Sequence, residues 1–133
     1  MNHSDKLIKE LKMIEHPEGG YFVESFRSKY TSLIYYLLKK GQISHWHRLT
    51  KDEILHFYSG AELELFTSQD AINVKSITLN NNKKFHAIVK SGTWFSMRST
   101  GDYSLIGCTV SPPFDYKDFE LAPKKWQPKK FIT

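Results

Sequence analysis

Two histidines and one glutamate lie close together in the segment from Gly41 to Gly60, GQISHWHRLTKDEILHFYSG. His45 and His47 are two residues apart in an apolar, β-prone stretch, and Glu53 opens the next such stretch after a short polar break. Because successive side chains of a strand point to opposite faces, simple alternation predicts that both histidines share a face. Two imidazoles and a carboxylate that converge on one face form a metal site or an acid–base site.

The residue types leave three roles open for this cluster. His45, His47 and Glu53 are together the predicted metal ligands, whereas His47 and Glu53 alone are the predicted catalytic acid–base pair. In a purely structural alternative, His45 is a rim residue and the other two side chains only hydrogen-bond each other.

Further residues are predicted to line a pocket for a small ligand. The planar fork of Arg27 can hold a carboxylate or phosphate through two parallel hydrogen bonds, and the alternative is a surface ion pair with Glu24. Simple alternation separates His56 and Tyr58 from Glu53, so these two reach the pocket only if a bulge shifts the register. The predicted ligand-binding residues are Arg27, Tyr36, Trp46, His56, Tyr58 and Trp94.

One short helix and many short strands are expected to position these residues. Apolar side chains at helical spacing predict an amphipathic helix over 5–14, with Ser4 as its N-cap. From Tyr21 onward, short apolar runs alternate with turn residues, which is typical of a β-sandwich or barrel. The predicted strands cover 21–26, 31–38, 43–48, 54–58, 62–67, 72–79, 85–90, 93–98, 103–111 and 118–121.

The histidine pair, the downstream glutamate and the glycine seven residues beyond it resemble the first signature of the cupin superfamily. Further blocks in the same order strengthen the resemblance: HPEGGYFVESFRS (16–28), TSLIYYLL (31–38), SGTWFSM (91–97) and YSLIGCTVSPPFDYKDFEL (103–121). Together they resemble a small, single-domain and mostly uncharacterised branch of the superfamily. The resemblance implies an all-β, double-stranded β-helix, the cupin jelly-roll barrel, with a short N-terminal α-helix, built as a homodimer.

The same resemblance bears on a metal. Cupins that hold a metal usually take a further histidine from a second signature, and Phe95 stands at that position here. The ligand set is therefore at most His45, His47 and Glu53, so the expected cofactor is none or a weakly held divalent metal.

Three functions follow as hypotheses. In the first, the barrel binds a small polar ligand and works as a sugar or nucleotide-sugar epimerase or isomerase, by likeness of fold to the dTDP-sugar epimerases. A base would remove a proton next to a carbonyl and an acid would return one, which is the role predicted for His47 and Glu53. The alternatives are a binding module without catalysis and a metal-dependent cupin such as a dioxygenase.

Composition bounds the remaining expectations. The 133 residues predict one domain over 1–133, with a core at about 7–121 and a basic tail over 122–133. The formal charge is +5, but residues 124–133 hold four lysines and no acid, so the rest carries +1 and nucleic acid is not an expected partner. No apolar run has the length of a membrane span or a signal peptide, so a cytoplasmic protein without a membrane partner is expected. Trp126 and Phe131 leave two options for the tail, a solvated one and one packed on the domain.

Overall fold

Two antiparallel β-sheets pack face to face in this computed structural model, which describes residues 2–131. The ends of the predicted domain, residues 1, 132 and 133, lie outside the described residues. Helix α1 (His3–Glu10) comes first, and a short 3-10 turn (Tyr116–Asp118) precedes the last strand. The strands are β1 (Ile14–Glu15), β2 (Tyr21–Arg27), β3 (Ser32–Lys39), β4 (Ile43–Leu49), β5 (Glu53–Gly60), β6 (Leu63–Ser68), β7 (Lys75–Leu79), β8 (His86–Val89), β9 (Trp94–Ser99), β10 (Tyr103–Val110) and β11 (Phe119–Leu121).

The order of strands in the sheets is that of a jelly roll. The six-stranded sheet runs β1-β2-β3-β10-β5-β8, and the five-stranded sheet runs β11-β4-β9-β6-β7. Neighbours such as β3 and β10 are far apart in sequence, so the chain passes repeatedly from one sheet to the other. The predicted all-β double-stranded β-helix with a short N-terminal helix is therefore confirmed.

The core lies between the sheets because alternate side chains of each strand point inward. In β5, Leu55 and Phe57 are buried while His56 and Tyr58 face outward. Fully buried side chains from both sheets meet there, among them Leu38, Leu65, Leu79, Phe95 and Ile106. The burial of this apolar surface is the main favourable contribution to folding.

The N-terminal helix differs from its predicted bounds at both ends. Its N-cap is Asn2 rather than Ser4, because the Asn2 side chain accepts a hydrogen bond from the Asp5 N–H at 2.9 Å. The helix ends at Glu10 because Lys12 adopts a φ of 58°, a left-handed conformation that terminates helices. The prediction of helix up to residue 14 was therefore wrong, and β1 was not foreseen.

The C-terminal segment over 122–131 packs on the outer face of the five-stranded sheet. The Trp126 ring lies 4.7 Å from Trp94 and 6.2 Å from Trp46, and Phe131 lies 5.2 Å from Trp46, between ring centroids. The four lysines of this segment are exposed. The sequence left open whether the tail is solvated or packed on the domain, and in the structure this segment is packed on the domain.

Candidate active site

A cavity of about 320 Å³ lies between the two sheets. Its buried end is lined by titratable groups: His16, Glu18, His47, Glu53 and Cys108. Its walls are apolar: Phe22, Ile34, Leu49, Val110, Phe114 and Phe119. Its exposed end carries charged and polar side chains: Glu24, Arg27, Asp115 and Tyr116.

Glu18 reaches the buried end because the loop between β1 and β2 folds into the barrel. Gly19 and Gly20 have φ values of 111° and 77°, which side chains with a Cβ rarely adopt. The Glu18 carbonyl accepts a 2.6 Å hydrogen bond from the His45 N–H of β4, and the Tyr36 hydroxyl donates to the Gly19 carbonyl. These bonds tie the loop to both sheets and leave the Glu18 side chain only 8% exposed.

His16 and Glu18 were not among the predicted site residues. Both belong to the block HPEGGYF, in which the Gly19-Gly20 pair signals a tightly turned loop. A charged residue directly before such a pair was the available signal. It is weak, because a glutamate in a turn is usually exposed to solvent.

The hydrogen bonds define the protonation of both imidazoles. The Nδ1–H of His47 donates to the His45 carbonyl at 2.7 Å, which leaves Nε2 as an acceptor 3.4 Å from Oε1 of Glu18. His16 accepts at Nδ1 from the Glu18 N–H at 3.1 Å, so its proton is on Nε2. The His16 ring is therefore neutral. Burial lowers the pKa of His47 and keeps this ring neutral as well, so its Nε2 presents a lone pair to Glu18.

Burial shifts the pKa values of acids and bases in opposite directions. Desolvation lowers the pKa of His47 to about 3 and that of His16 to about 4. Desolvation raises the pKa of Glu53 to about 7, against a smaller opposing hydrogen bond from the Cys108 thiol. Desolvation also raises the pKa of Glu18 well above its usual range, and the charge of Glu53 adds to this shift. The cluster is consequently uncharged over much of the acidic range.

His45 does not join this cluster, so the prediction that His45 and His47 share a face was wrong. A bulge between Ser44 and His47, where β4 pairs with β9, interrupts the alternation of side chains. His47 points into the cavity, whereas the Nε2–H of His45 donates to the Pro123 carbonyl at 3.0 Å on the outer face.

The predicted three-ligand metal site does not fit this arrangement. His45 is separated from His47 and Glu53 by the sheet itself. Within residues 2–131, no three His, Cys, Asp or Glu side chains are grouped closely enough to hold a metal ion. Phe95, at the position where the cupin resemblance expects a further histidine, lies 4.0 Å from the His47 ring.

A second bulge brings Arg27 to the cavity. It lies between Glu24 and Phe26, where β2 pairs with β3, so Glu24 and Arg27 line the same side although alternation separates them. The guanidinium holds Glu24 through two hydrogen bonds of 2.9 Å and donates a third to the Phe114 carbonyl, also at 2.9 Å.

The other predicted ligand-binding residues lie away from the cavity. Tyr36 is 2% exposed and lies behind the loop that carries Glu18. Trp46 and Trp94 are buried beneath the C-terminal segment. His56 hydrogen-bonds Thr109 at 3.1 Å and stacks on Tyr58 on the outer face of the six-stranded sheet.

Fold and cavity together define a small cupin whose interior is lined by carboxyl and imidazole groups. The sequence model of the family described as "Cupin superfamily (DUF985)" matches residues 5–122, and the chain belongs to this family. No protein of curated function matches the sequence. No helix in residues 2–131 has the length and apolar character needed to cross a membrane.

Solved structures agree with this assignment. A protein from Shewanella oneidensis is 34% identical, with a TM-score of 0.87 over 92% of this chain and 85% of its own. A protein from Leishmania major is 28% identical, with a TM-score of 0.84 over 94% of this chain and 90% of its own. The capsular polysaccharide assembling protein CapF from Staphylococcus aureus is 16% identical over 82% of this chain and 33% of its own, with a TM-score of 0.69, and shares the fold.

Proposed function

We propose that the barrel interior is an acid–base active site that epimerises or isomerises a small polar compound. The observation that carries the proposal is that two carboxyl groups and two neutral imidazoles lie together at the buried end of one cavity. Titratable groups with pKa values displaced in opposite directions are characteristic of sites that transfer protons near neutral pH.

The groups suggest a division of roles. Glu53, with a pKa of about 7, is partly ionised at neutral pH and serves as the base that removes a proton from the carbon next to a substrate carbonyl. Burial and the charge of Glu53 raise the pKa of Glu18, which favours its protonated form, and Glu18 serves as the acid that donates to the carbonyl oxygen and gives an enediol. In isomerisation, Glu53 then gives its proton to the neighbouring carbon while the Glu18 carboxylate accepts the proton of the adjacent hydroxyl. In epimerisation, the same carbon takes a proton from water on its opposite face, Glu18 recovers the proton from the enediol oxygen, and Glu53 releases its proton to the hydroxide that remains.

In this proposal His47 is the partner of Glu18 rather than of Glu53. Its Nε2 lone pair lies 3.4 Å from Oε1 of Glu18 and orients the protonated carboxyl group, because the low pKa of His47 keeps the imidazole neutral. The acid–base pair predicted from the sequence, His47 and Glu53, is thus replaced in this proposal by the two carboxyl groups of Glu18 and Glu53. His47 acts as the partner that orients Glu18.

Proton abstraction can be tested without knowing the substrate. The protein is incubated in D₂O with a panel of hydroxy aldehydes and hydroxy ketones, and loss of the C–H signal next to the carbonyl is followed by proton NMR. We expect exchange in at least one compound, and Glu18→Gln and Glu53→Gln should each slow it by about 10²- to 10⁴-fold.

The matched control is Glu64→Gln, which makes the same carboxyl-to-amide change in a surface ion pair with Arg98 on β6 and β9. Exchange should persist in this variant. Equal exchange rates in all three variants would refute the assigned roles. Binding of a compound without any exchange would instead support the non-catalytic binding module.

We also propose that the protein is a homodimer. On the outer face of the six-stranded sheet, Tyr58 and Ile88 are 45% and 56% exposed, next to Ile54 and His86 on the same two strands. Helix α1 covers another part of this face through Leu7, Ile8 and Leu11 and leaves this patch open. Exposed apolar side chains grouped on one face are typical of a contact between subunits.

Light scattering coupled to size exclusion at micromolar concentration should give twice the mass of one chain. The double variant Ile88→Asp, Tyr58→Asp should give the mass of one chain, because it introduces two charges into the patch. Lys75→Asp, an exposed change on β7 of the other sheet, is the control. A monomer for the unmodified chain would end this proposal.

A further inference from the structure

The buried end of the cavity has no positively charged side chain. Among the described residues that line the cavity, Arg27 is the only lysine or arginine, and it lies at the exposed end. The buried end instead holds Glu18 and Glu53 beside two imidazoles that are neutral. An anion placed there would have no counter-charge and would lie beside groups that themselves become anionic.

Arg27 does not supply a free counter-charge at the exposed end. Its Nε and one terminal nitrogen hold both carboxylate oxygens of Glu24, and the same terminal nitrogen donates to the Phe114 carbonyl. Asp115 lies near enough to raise the pKa of Arg27 further. A ligand carboxylate or phosphate could form a two-pronged pair through Nε only by displacing Glu24, and at the remaining terminal nitrogen it would lie beside two acidic side chains.

The size and walls of the cavity favour a single compact ring. A volume of about 320 Å³ is near the lower end of the ~300–1,000 Å³ range of small-molecule pockets. Phe22, Phe114 and Phe119 offer aromatic surface for the C–H face of such a ring. The buried end offers both donors and acceptors: the Nε2–H of His16, protonated carboxyls and the Cys108 thiol.

We propose that this cavity selects an uncharged polyhydroxy compound of monosaccharide size and rejects the carboxylate or phosphate form of the same compound. This inference rests on the proposed function in that the same cavity is taken as the substrate site. Of the two substrate classes raised by the sequence, it retains the free sugar and removes the nucleotide sugar, whose diphosphate would need a cationic contact.

The physical basis is the penalty for burying an unpaired charge. Hydroxyl groups can exchange their hydrogen bonds with water for bonds to carboxyl and imidazole groups. An anion would lose its hydration without gaining a cation, and it would oppose the ionisation of Glu53 and Glu18. Rejection should therefore grow as the pH rises through about 7, where Glu53 ionises in the free protein.

The test uses matched pairs in which a carboxylate replaces the hydroxymethyl group of the same ring: glucose with glucuronate, galactose with galacturonate, and mannose with mannuronate. Dissociation constants are measured by ligand-observed NMR titration at pH 6 and pH 8. We expect at least one neutral hexose to bind, its uronate to bind at least tenfold more weakly at pH 8, and the ratio to be smaller at pH 6.

Glu53→Gln should reduce the preference for the neutral compound at pH 8, because it removes a carboxylate from the buried end, whereas Glu64→Gln should leave the preference unchanged. A uronate that binds as tightly as its hexose, or a preference unaffected by Glu53→Gln, would overturn the inference. Failure of all six compounds to bind would also overturn it. Deuterium exchange in some other hydroxy carbonyl compound would then still uphold the acid–base function, so the two failures are distinguishable.

Discussion

Glu53→Gln should make the protein more stable than the unmodified chain at alkaline pH, although it alters a buried side chain. The fold raises the pKa of Glu53 from 4.5 to about 7, so it binds the proton more tightly than the unfolded chain does. The stabilisation from this proton is fully present below pH 4.5 and is lost as the pH rises through 7. A shift of this size corresponds to about 3 kcal/mol. Glutamine does not titrate, so the variant does not lose this stabilisation as the pH rises.

The measurement is urea unfolding of both proteins between pH 4.5 and pH 8.5. The free energy of unfolding of the variant minus that of the unmodified chain should rise by about 3 kcal/mol across this range. Glu64→Gln, in the surface pair with Arg98, should show no comparable rise. If the difference for Glu53→Gln is independent of pH, Glu53 is not a buried carboxyl held in its protonated form.

His47→Asn should show the opposite pH dependence. Asparagine keeps a donor for the His45 carbonyl, which accepts from Nδ1 of His47 at 2.7 Å, and removes the group that titrates. The fold lowers the pKa of His47 from 6.5 to about 3, so its stabilisation is present above pH 6.5 and is lost as the pH falls through 3. At pH 4 the unmodified chain should already have lost about 3 kcal/mol from this group.

Unfolding at pH 7 and pH 4 tests this expectation. The variant will be less stable at pH 7, because it loses packing against Phe95, and the deficit should shrink by about 3 kcal/mol at pH 4. His3→Asn, at an exposed position of α1 outside the proposed contact between subunits, provides the control. A deficit of the same size at both pH values would show that the imidazole is not held neutral by burial.

The fold was predictable because its signals are local. Alternating apolar residues and turn residues place the strands to within a few residues of their observed bounds, as in β4, predicted over 43–48 and observed as Ile43–Leu49. Each strand's own sequence determines which of its faces is apolar, and sheets with one apolar face can bury that face in only a few layer architectures. Helix α1 was misplaced because its end depends on one residue, Lys12, adopting a positive φ.

The site was predictable only where alternation holds. Glu53 and His47 line the cavity. A bulge in β4 moves His45 out of it, and a bulge in β2 places Arg27, predicted as a ligand-binding residue, on the same side as Glu24. An inserted residue reverses the face of every side chain beyond it, and no residue type in these strands marks where it occurs. Trp46 and Trp94 were predicted to bind a ligand, but in the structure they pack against the C-terminal segment. The sequence does not show where this segment packs, so it could not distinguish the two roles.

The sequence by itself determined the all-β fold, the family and two of the titratable groups of the cavity, because strand periodicity and ordered motifs are properties of neighbouring residues. The tertiary structure decided which groups meet. The loop that carries Glu18 is held to β4 by a hydrogen bond from the His45 N–H to the Glu18 carbonyl, between residues 27 positions apart in sequence. This bond brings the Glu18 side chain to His47. The pKa shifts of His16, Glu18, His47 and Glu53 also arise only in the tertiary structure, because the packing of both sheets around these side chains removes them from water.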